Sequence, residues 1–343
     1  METTVLQQLK ESIAQQRQNL VEWLNGTPEV IKQLRTGPVG EEAVNDRLRT
    51  LDSALKKADE KTLGLCDVCH DYVEPSRLEM DYTASVCIEH LTGKERSLLE
   101  NDLELSQKVQ RALLPHSVPE IRGLEVAAFS QPARIVGGDY FDFVRMKDGS
   151  HAIVIADVMG KGMPASMLMA SLQASLRIIA PESAEPADVV ARLNHLFNHN
   201  IQLTKFVTLF LARYDESSRV LTYCNAGHNP PLVHRANGTI EALLPTGAAI
   251  GLVEDPVFLQ GTITLRPGDR VLLYTDGVVE SMNNEEELFG QERLEKFLQE
   301  NSGTAVRNTI ASLKEQLQKF SGGTLPADDT TVIAISVVDY VRS

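Results

Sequence analysis

Apolar positions in the first third of the chain recur at helical spacing. Leu6, Leu9, Ile13, Leu20 and Trp23 fall on one face of a first helix, with Gln16 the polar exception. Val44, Leu48, Leu51, Leu55 and Ala58 do the same in a second. Asn25-Gly26-Thr27-Pro28 breaks the first helix and Thr36-Gly37-Pro38 precedes the second, with room for one short helix around Glu29 to Arg35. Residues 1–63 therefore read as a helical hairpin. Lys94 to Leu114 is again helical, with Leu98, Leu105, Val109 and Ala112 on a stripe that Pro115 ends. Asn101 and Asp102 interrupt any strict heptad seam, so the pattern does not demand a long coiled coil.

Beyond Pro115 the pattern changes to short Ile- and Val-rich runs separated by amphipathic stretches. Ala152 to Ala156 is long enough for one buried strand, and it stops at Asp157. Gly160 and Gly162 permit a tight turn, and Pro164 suits the first turn of a helix over 165–179. Further helices are expected over 186–204, 292–298 and 305–320, and strands over 206–214, 219–225, 255–265 and 269–274. Helices interleaved with antiparallel strand pairs fit an α+β sandwich better than a parallel sheet.

Acidic residues gather where these strands end. Asp157 closes one apolar run, and Asp276 closes another in Leu272-Leu-Tyr-Thr-Asp-Gly. Asp139 and Asp142 lie beside the Gly137-Gly138 pair, and Asp328 and Asp329 stand at the mouth of a β-branched run. A carboxylate at the end of a buried strand is costly unless it is hydrated, hydrogen-bonded or bound to a cation. Hard oxygen ligands with no His or Cys among them suit Mg²⁺ or Mn²⁺.

A second, softer ligand set lies upstream. Cys66 and Cys69 form one pair, and Cys87 and His90 repeat the two-residue gap after a 17-residue spacer. This is zinc-ribbon spacing, and three of the four cysteines lie in it. His70 offers an alternative nitrogen, with poorer geometry because it directly follows Cys69. One structural Zn²⁺ is expected.

Charge and composition narrow the function. A net charge of −14 argues against non-specific nucleic-acid binding, which needs Lys and Arg to neutralise phosphates. No stretch is apolar enough to span a membrane, and the N-terminus lacks a signal-peptide core, so a cytoplasmic protein with protein partners is expected. Cys224 begins a loop resembling that of cysteine phosphatases, but Pro230 stands where their Arg would be. Gly160-Lys161 lacks the remaining glycine and the Ser or Thr of a phosphate loop. His228 and Asn229 lie in a Gly/Asn/Pro turn, where a structural role is favoured over proton donation to a leaving group.

The ordered blocks GGDYFDF, ADVMGKGMPA, TLFLARYD, NAGHNPP, LLYTDGVVES and ADDTTV resemble the SpoIIE/RsbU branch of the PPM family, metal-dependent protein Ser/Thr phosphatases. The resemblance covers roughly residues 118–340 and implies an α/β/β/α sandwich with a binuclear Mn²⁺/Mg²⁺ centre. It implies Asp139, Asp157, Asp276 and Asp328 as metal carboxylates, the Val158 carbonyl as a further ligand, and Asp142 and Asp329 as less certain neighbours. The implied substrate is a phosphoserine or phosphothreonine protein, a STAS-domain anti-anti-sigma factor or similar partner-switching regulator. The animal-type enzymes hold phosphate with an Arg before the first acidic block; Arg134 is near but not aligned.

Residues 65–90 resemble the zinc finger of the DksA/TraR family, which a helical hairpin also precedes. His90 stands where that family usually has Cys, and the hairpin turn lacks an acidic motif. The expected organisation is a regulatory hairpin and finger over 1–93, a linker helix over 94–117 resembling that of RsbU-type enzymes and able to couple the modules or pair two chains, and a phosphatase domain over 118–343. The competing expectation is a catalytically weak signalling scaffold, against which the complete carboxylate set argues.

Overall fold

The computed structural model describes residues 3–26, 42–74, 77–78, 83–200, 206–253, 255–324 and 326–339. The chain divides into two compact units, Met1–Asn101 and Asp102–Ser343.

In the first unit α1 (Thr3–Gly26) packs on α2 (Glu42–Asp59). Ile13, Leu51, Ala54, Ala58 and Leu63 form their core, flanked by Leu20 and Leu55. Leu51, Leu55 and Ala58 meet on one face because residues three and four apart are helical neighbours. The short helix expected around Glu29 to Arg35 lies outside the described residues. α3 (Gly93–Leu113) starts at a capping box: Thr92 N–H donates to Glu95 Oε2 at 2.9 Å, and Glu95 N–H returns to Thr92 Oγ1 at 3.3 Å. The boundary between the units falls within this helix.

The second unit contains two five-stranded sheets among its described residues, ordered β1-β10-β9-β6-β7 and β2-β3-β4-β5-β8. The strands are β1 (Leu124–Gln131), β2 (Tyr140–Arg145), β3 (His151–Val158), β4 (Val207–Asp215), β5 (Val220–Ala226), β6 (Leu232–His234), β7 (Ile240–Ala242), β8 (Gly261–Thr264), β9 (Arg270–Tyr274) and β10 (Thr330–Val337). All their pairings are antiparallel.

Side-chain alternation builds the layers. Ile153 and Ile155 of β3 join Phe141, Phe210, Val271, Leu273, Ile333 and Ile335 in the core between the sheets. Ala152, Val154 and Ala156 face the other way, against α4 (Met163–Ile179) and α5 (Pro186–Asn200). On the far side α7 (Gly290–Glu300) and α8 (Val306–Phe320) cover Leu272, Tyr274, Val332 and Ala334. The result is a four-layer α/β/β/α sandwich. Burial on both faces is why β3 reads as an unbroken apolar run. Truncating fully buried Ile155 to Ala would cost about 2–5 kcal/mol.

The strands differ from the sequence expectation in two respects. The run 255–265 forms a strand only over Gly261–Thr264. Pro256 has no N–H to give a ladder, Phe258 packs against the helix-side core, and Leu259 N–H bonds Thr246 O at 3.0 Å. β1 and the β6–β7 hairpin are additional strands. The helix expected over 186–204 is described to Asn200, and its remaining turn lies outside the described residues. No helix among the described residues is long and apolar enough to cross a membrane.

Candidate active site

Four strand ends meet at one edge of the sandwich. Asp139 immediately precedes β2 and Asp157 is the penultimate residue of β3, whose register pairs Tyr140 with Ala156. From the other sheet, Asp276 opens a four-residue helix α6 (Asp276–Val279) just after β9, and Asp328 and Asp329 precede β10. Two glycines at φ 109° and 72°, Gly160 and Gly162, turn the chain sharply from β3 into α4, keeping Asp157 at the rim. Gly138 lets its strand end approach β3: a Cβ there would lie 2.7 Å from the Val158 carbonyl oxygen.

The carboxylates raise one another's proton affinity. Burial first, then Asp276 and Asp328, push Asp157 up to about 7. Burial and then Asp328 push Asp276 up to about 6. Asp139, 5% exposed, lies well above the usual carboxylate range through burial and the charges of Asp157 and Asp329. Its Oδ2 accepts the Thr275 hydroxyl at 2.8 Å, whereas its Oδ1 is buried without a hydrogen-bond partner. An orphaned buried oxygen among mutually repelling carboxylates is the arrangement a hard divalent cation satisfies, so the donor set fits Mg²⁺ or Mn²⁺.

The two less certain neighbours have other partners. Asp329 accepts Ala133 N–H at 2.7 Å on Oδ1 and Gly138 N–H at 2.6 Å on Oδ2, so it clamps the loop that carries Asp139. Asp142 lies on the helix-facing side of β2. It accepts the Tyr140 hydroxyl at 2.6 Å and pairs with Arg177 of α4 at 3.0 Å, away from the other carboxylates.

Several groups here went unread in the sequence. Thr275 is one. Lys161 is another, with its Nζ 2.8 Å from Asp328 Oδ2; its only sequence signal was the failed phosphate loop. Glu280 adds negative charge felt by Asp157 and Asp276, and its spacing from Asp276 could have marked it. Gln110 of α3 is buried; its amide donates to Gly137 O at 2.6 Å and to Ser166 Oγ at 3.2 Å while accepting Gly137 N–H at 3.1 Å.

His228 is buried, with Nδ1 2.8 Å from Thr208 Oγ1, and burial holds it neutral, down to about 3. It is a turn-anchoring group. Burial pushes the Cys224 thiol up to about 11, which removes it as a nucleophile.

In the first unit the Sγ atoms of Cys66, Cys69 and Cys87 and a ring nitrogen of His90 lie within 4.8 Å of one another. Cys69 Sγ and Cys87 Sγ are 3.9 Å apart, and His90 Nδ1 is 3.0 Å from Cys87 Sγ. Tetrahedral zinc with Zn–S near 2.3 Å places sulfurs about 3.8 Å apart, so the cluster fits that ion. Cys66 Sγ accepts the Val68 and Cys87 N–H groups at 3.4 Å each. Amide donors, those of Cys69 and Cys87 foremost, lower its thiol to about 6. His70 turns away at φ 61° and does not join the cluster.

A carboxylate-rimmed α/β/β/α sandwich of this topology defines a PPM-type protein Ser/Thr phosphatase. The chain belongs to the Stage II sporulation protein E (SpoIIE) family, whose profile matches residues 147–338. It is 29% identical over 236 residues to Phosphoserine phosphatase RsbU of Bacillus subtilis, covering 68% of this chain and 70% of that protein. Its fold is similar to the SiaA-PP2C domain of Pseudomonas aeruginosa, with a TM-score of 0.63 at 19% identity over 71% of this chain and 99% of that one. The structure of the RsbU and RsbW domains of Rv1364c from Mycobacterium tuberculosis matches with a TM-score of 0.56 at 27% identity, over 67% of this chain and 64% of that one.

Proposed function

We propose that this chain hydrolyses phosphoserine or phosphothreonine on a regulatory protein, with Asp139, Asp157, Asp276 and Asp328 holding two Mn²⁺ or Mg²⁺ ions and the Val158 carbonyl completing the set. The observation that carries the reading is the convergence of four acidic strand ends from two sheets, one of them with an unpartnered buried oxygen. Such ions supply a water of lowered pKa as nucleophile and neutralise charge on the phosphoryl group. The protein's own task is placement. Thr275 fixes one oxygen of Asp139, Asp329 fixes the loop bearing it, and Gln110 holds Gly137 two residues away. The inert Cys224 and the neutral His228 leave a covalent route without a nucleophile–base pair.

The names of two relatives, Phosphoserine phosphatases RsbU and RsbP of Bacillus subtilis, favour phosphoserine. A STAS-domain anti-anti-sigma factor in a partner-switching pathway is the substrate we infer. The hairpin and finger over 1–93 serve as a regulatory module built on one structural Zn²⁺, residues 94–117 as its link, and 118–343 as the phosphatase. Leu98, Leu105 and Val109 of α3 are 55%, 61% and 53% exposed, which favours pairing of two chains along that stripe. The test is phosphate release from a phosphoserine-bearing STAS protein with and without Mn²⁺. Metal-dependent release is expected; a metal-saturated protein without turnover would leave the scaffold reading.

A further inference from the structure

Lys161 occupies the turn Gly160-Lys161-Gly162 between β3 and α4, in the loop after Asp157. Its ammonium crosses to the loop before β10, lying 2.8 Å from Asp328 Oδ2 and donating to Ala327 O at 2.7 Å. It is also close enough to Asp276 for its charge to be felt there. The Lys161 and Asp328 side chains are 38% and 28% exposed, whereas Asp139 is 5% exposed. The ammonium therefore stands at the mouth of the site and Asp139 on its floor. An ion pair this exposed adds little to folding stability.

A divalent ion on Asp328 would compete with the ammonium for the same carboxylate. Lysine is a point charge with three donors on a flexible stem, so it can leave one oxygen for another nearby without moving the backbone. A phosphoryl dianion approaching the carboxylate edge brings those oxygens to the mouth. We propose that Lys161 binds the non-bridging oxygens of the substrate phosphoryl group, and that its pairing with Asp328 is the resting position of that side chain. This rests on the phosphatase reading above. It supplies a phosphate-binding cation, a role the sequence does not assign to Arg134, which is near the first acidic block but not aligned with the animal-type Arg.

The experiment compares the Mn²⁺-loaded full chain with Lys161→Ala, Lys161→Arg and Arg134→Ala. It reads KM for the phosphoprotein, inhibition by inorganic phosphate, calorimetric binding of phosphate, and Mn²⁺ affinity without substrate. Losing one charge-assisted hydrogen bond should raise KM and weaken phosphate binding roughly 10- to 100-fold in Lys161→Ala. Lys161→Arg should recover most of that loss, and Arg134→Ala should show little of it. Mn²⁺ should bind Lys161→Ala as tightly as wild type or more tightly, because the competing ammonium is gone. Unchanged phosphate binding in Lys161→Ala at saturating Mn²⁺ would overturn the proposal, as would weaker Mn²⁺ binding as its sole effect, which would make Lys161 a support for Asp328. A wild-type chain without turnover would sink the phosphatase reading, and the calorimetric comparison would still decide Lys161.

Discussion

The Thr275 hydroxyl donates to Asp139 Oδ2 at 2.8 Å, joining the end of β9 in one sheet to the start of β2 in the other. Thr275 Oγ1 in turn accepts Thr331 N–H at 2.9 Å, so the hydroxyl is oriented from both sides. One oxygen of Asp139 is thereby fixed and the other left free for a cation. Partners of this kind typically carry 10- to 100-fold in metal affinity or activity, and Thr275→Val should lose about that much while keeping its fold. Thr275→Ser should retain most. Mn²⁺ titration of activity separates these outcomes, and a Thr275→Val protein with wild-type metal affinity would remove Asp139 from the ligand set.

Asp157→Asn and Asp276→Asn take away ligand charge itself. Each should reduce Mn²⁺-dependent turnover by more than the ~100-fold upper range for an outer-shell partner. Without metal, neither variant should melt below wild type, because each relieves repulsion among Asp157, Asp276 and Asp328. Parallel activity assays and melts in chelator check both halves; near-normal turnover in both variants contradicts the assignment.

Burial, with that repulsion added to it, sets a pH dependence. Asp157 at about 7 and Asp276 at about 6 lie above the ordinary 3.8, so between these values the folded metal-free chain binds protons that the unfolded chain has released. Stability then falls as pH rises through that window, since its slope follows protons bound unfolded minus protons bound folded. Metal needs the ionised carboxylates, so Mn²⁺ affinity should rise with pH toward about 7 and then level, with proton release at pH 6 exceeding that at pH 8. Calorimetry in two buffers of different ionisation heat measures this directly, and equal release at both pH values would contradict it.

The strand-end aspartates were legible because a carboxylate that stops an apolar run breaks the burial pattern locally. Asp157 and Asp276 needed no partner to be noticed. Asp142 and Asp329 look the same in sequence, and only the fold separates them: Arg177 arrives from α4 and the Ala133 and Gly138 amides from a loop 191 to 196 residues away. Thr275 and Gln110 carried no signal, since a hydroxyl or amide becomes specific only when a distant backbone group faces it. The short β6 and β7 strands lack the length that makes a period visible.

The Cys66, Cys69, Cys87, His90 cluster should hold one Zn²⁺ per chain that survives dialysis against a chelator strong enough to strip Mn²⁺. Thiolate and imidazole prefer zinc over the ions that suit carboxylates. Apparent zinc binding in finger peptides is worth about 10–16 kcal/mol, so Cys66→Ser with Cys69→Ser should lose the ion and local protection over 63–74 and 83–91. Metal analysis and hydrogen exchange read the two effects; zinc retained by the double variant refutes the site.

Gln110 and the Leu105–Val109 stripe divide the labour of α3 in a way its periodicity does not suggest. The expected contact residues, Leu105 and Val109, are exposed, whereas the polar Gln110 is buried against Gly137 and Ser166. Gly137 is two residues from Asp139, so Gln110→Ala leaves a buried peptide unit unpaired beside the site, at a cost of about 1–3 kcal/mol. Weaker Mn²⁺ affinity and lower turnover should follow, with oligomeric state unchanged. Leu105→Glu with Val109→Glu places charge on the exposed stripe and should change the oligomeric state first, turning a pair of chains into single ones. Light scattering and Mn²⁺ titration on the same samples distinguish the two faces. If the stripe variant keeps wild-type mass, the stripe is not where chains pair. If a chain beginning at Pro115 keeps full metal affinity and turnover, α3 carries nothing to the site.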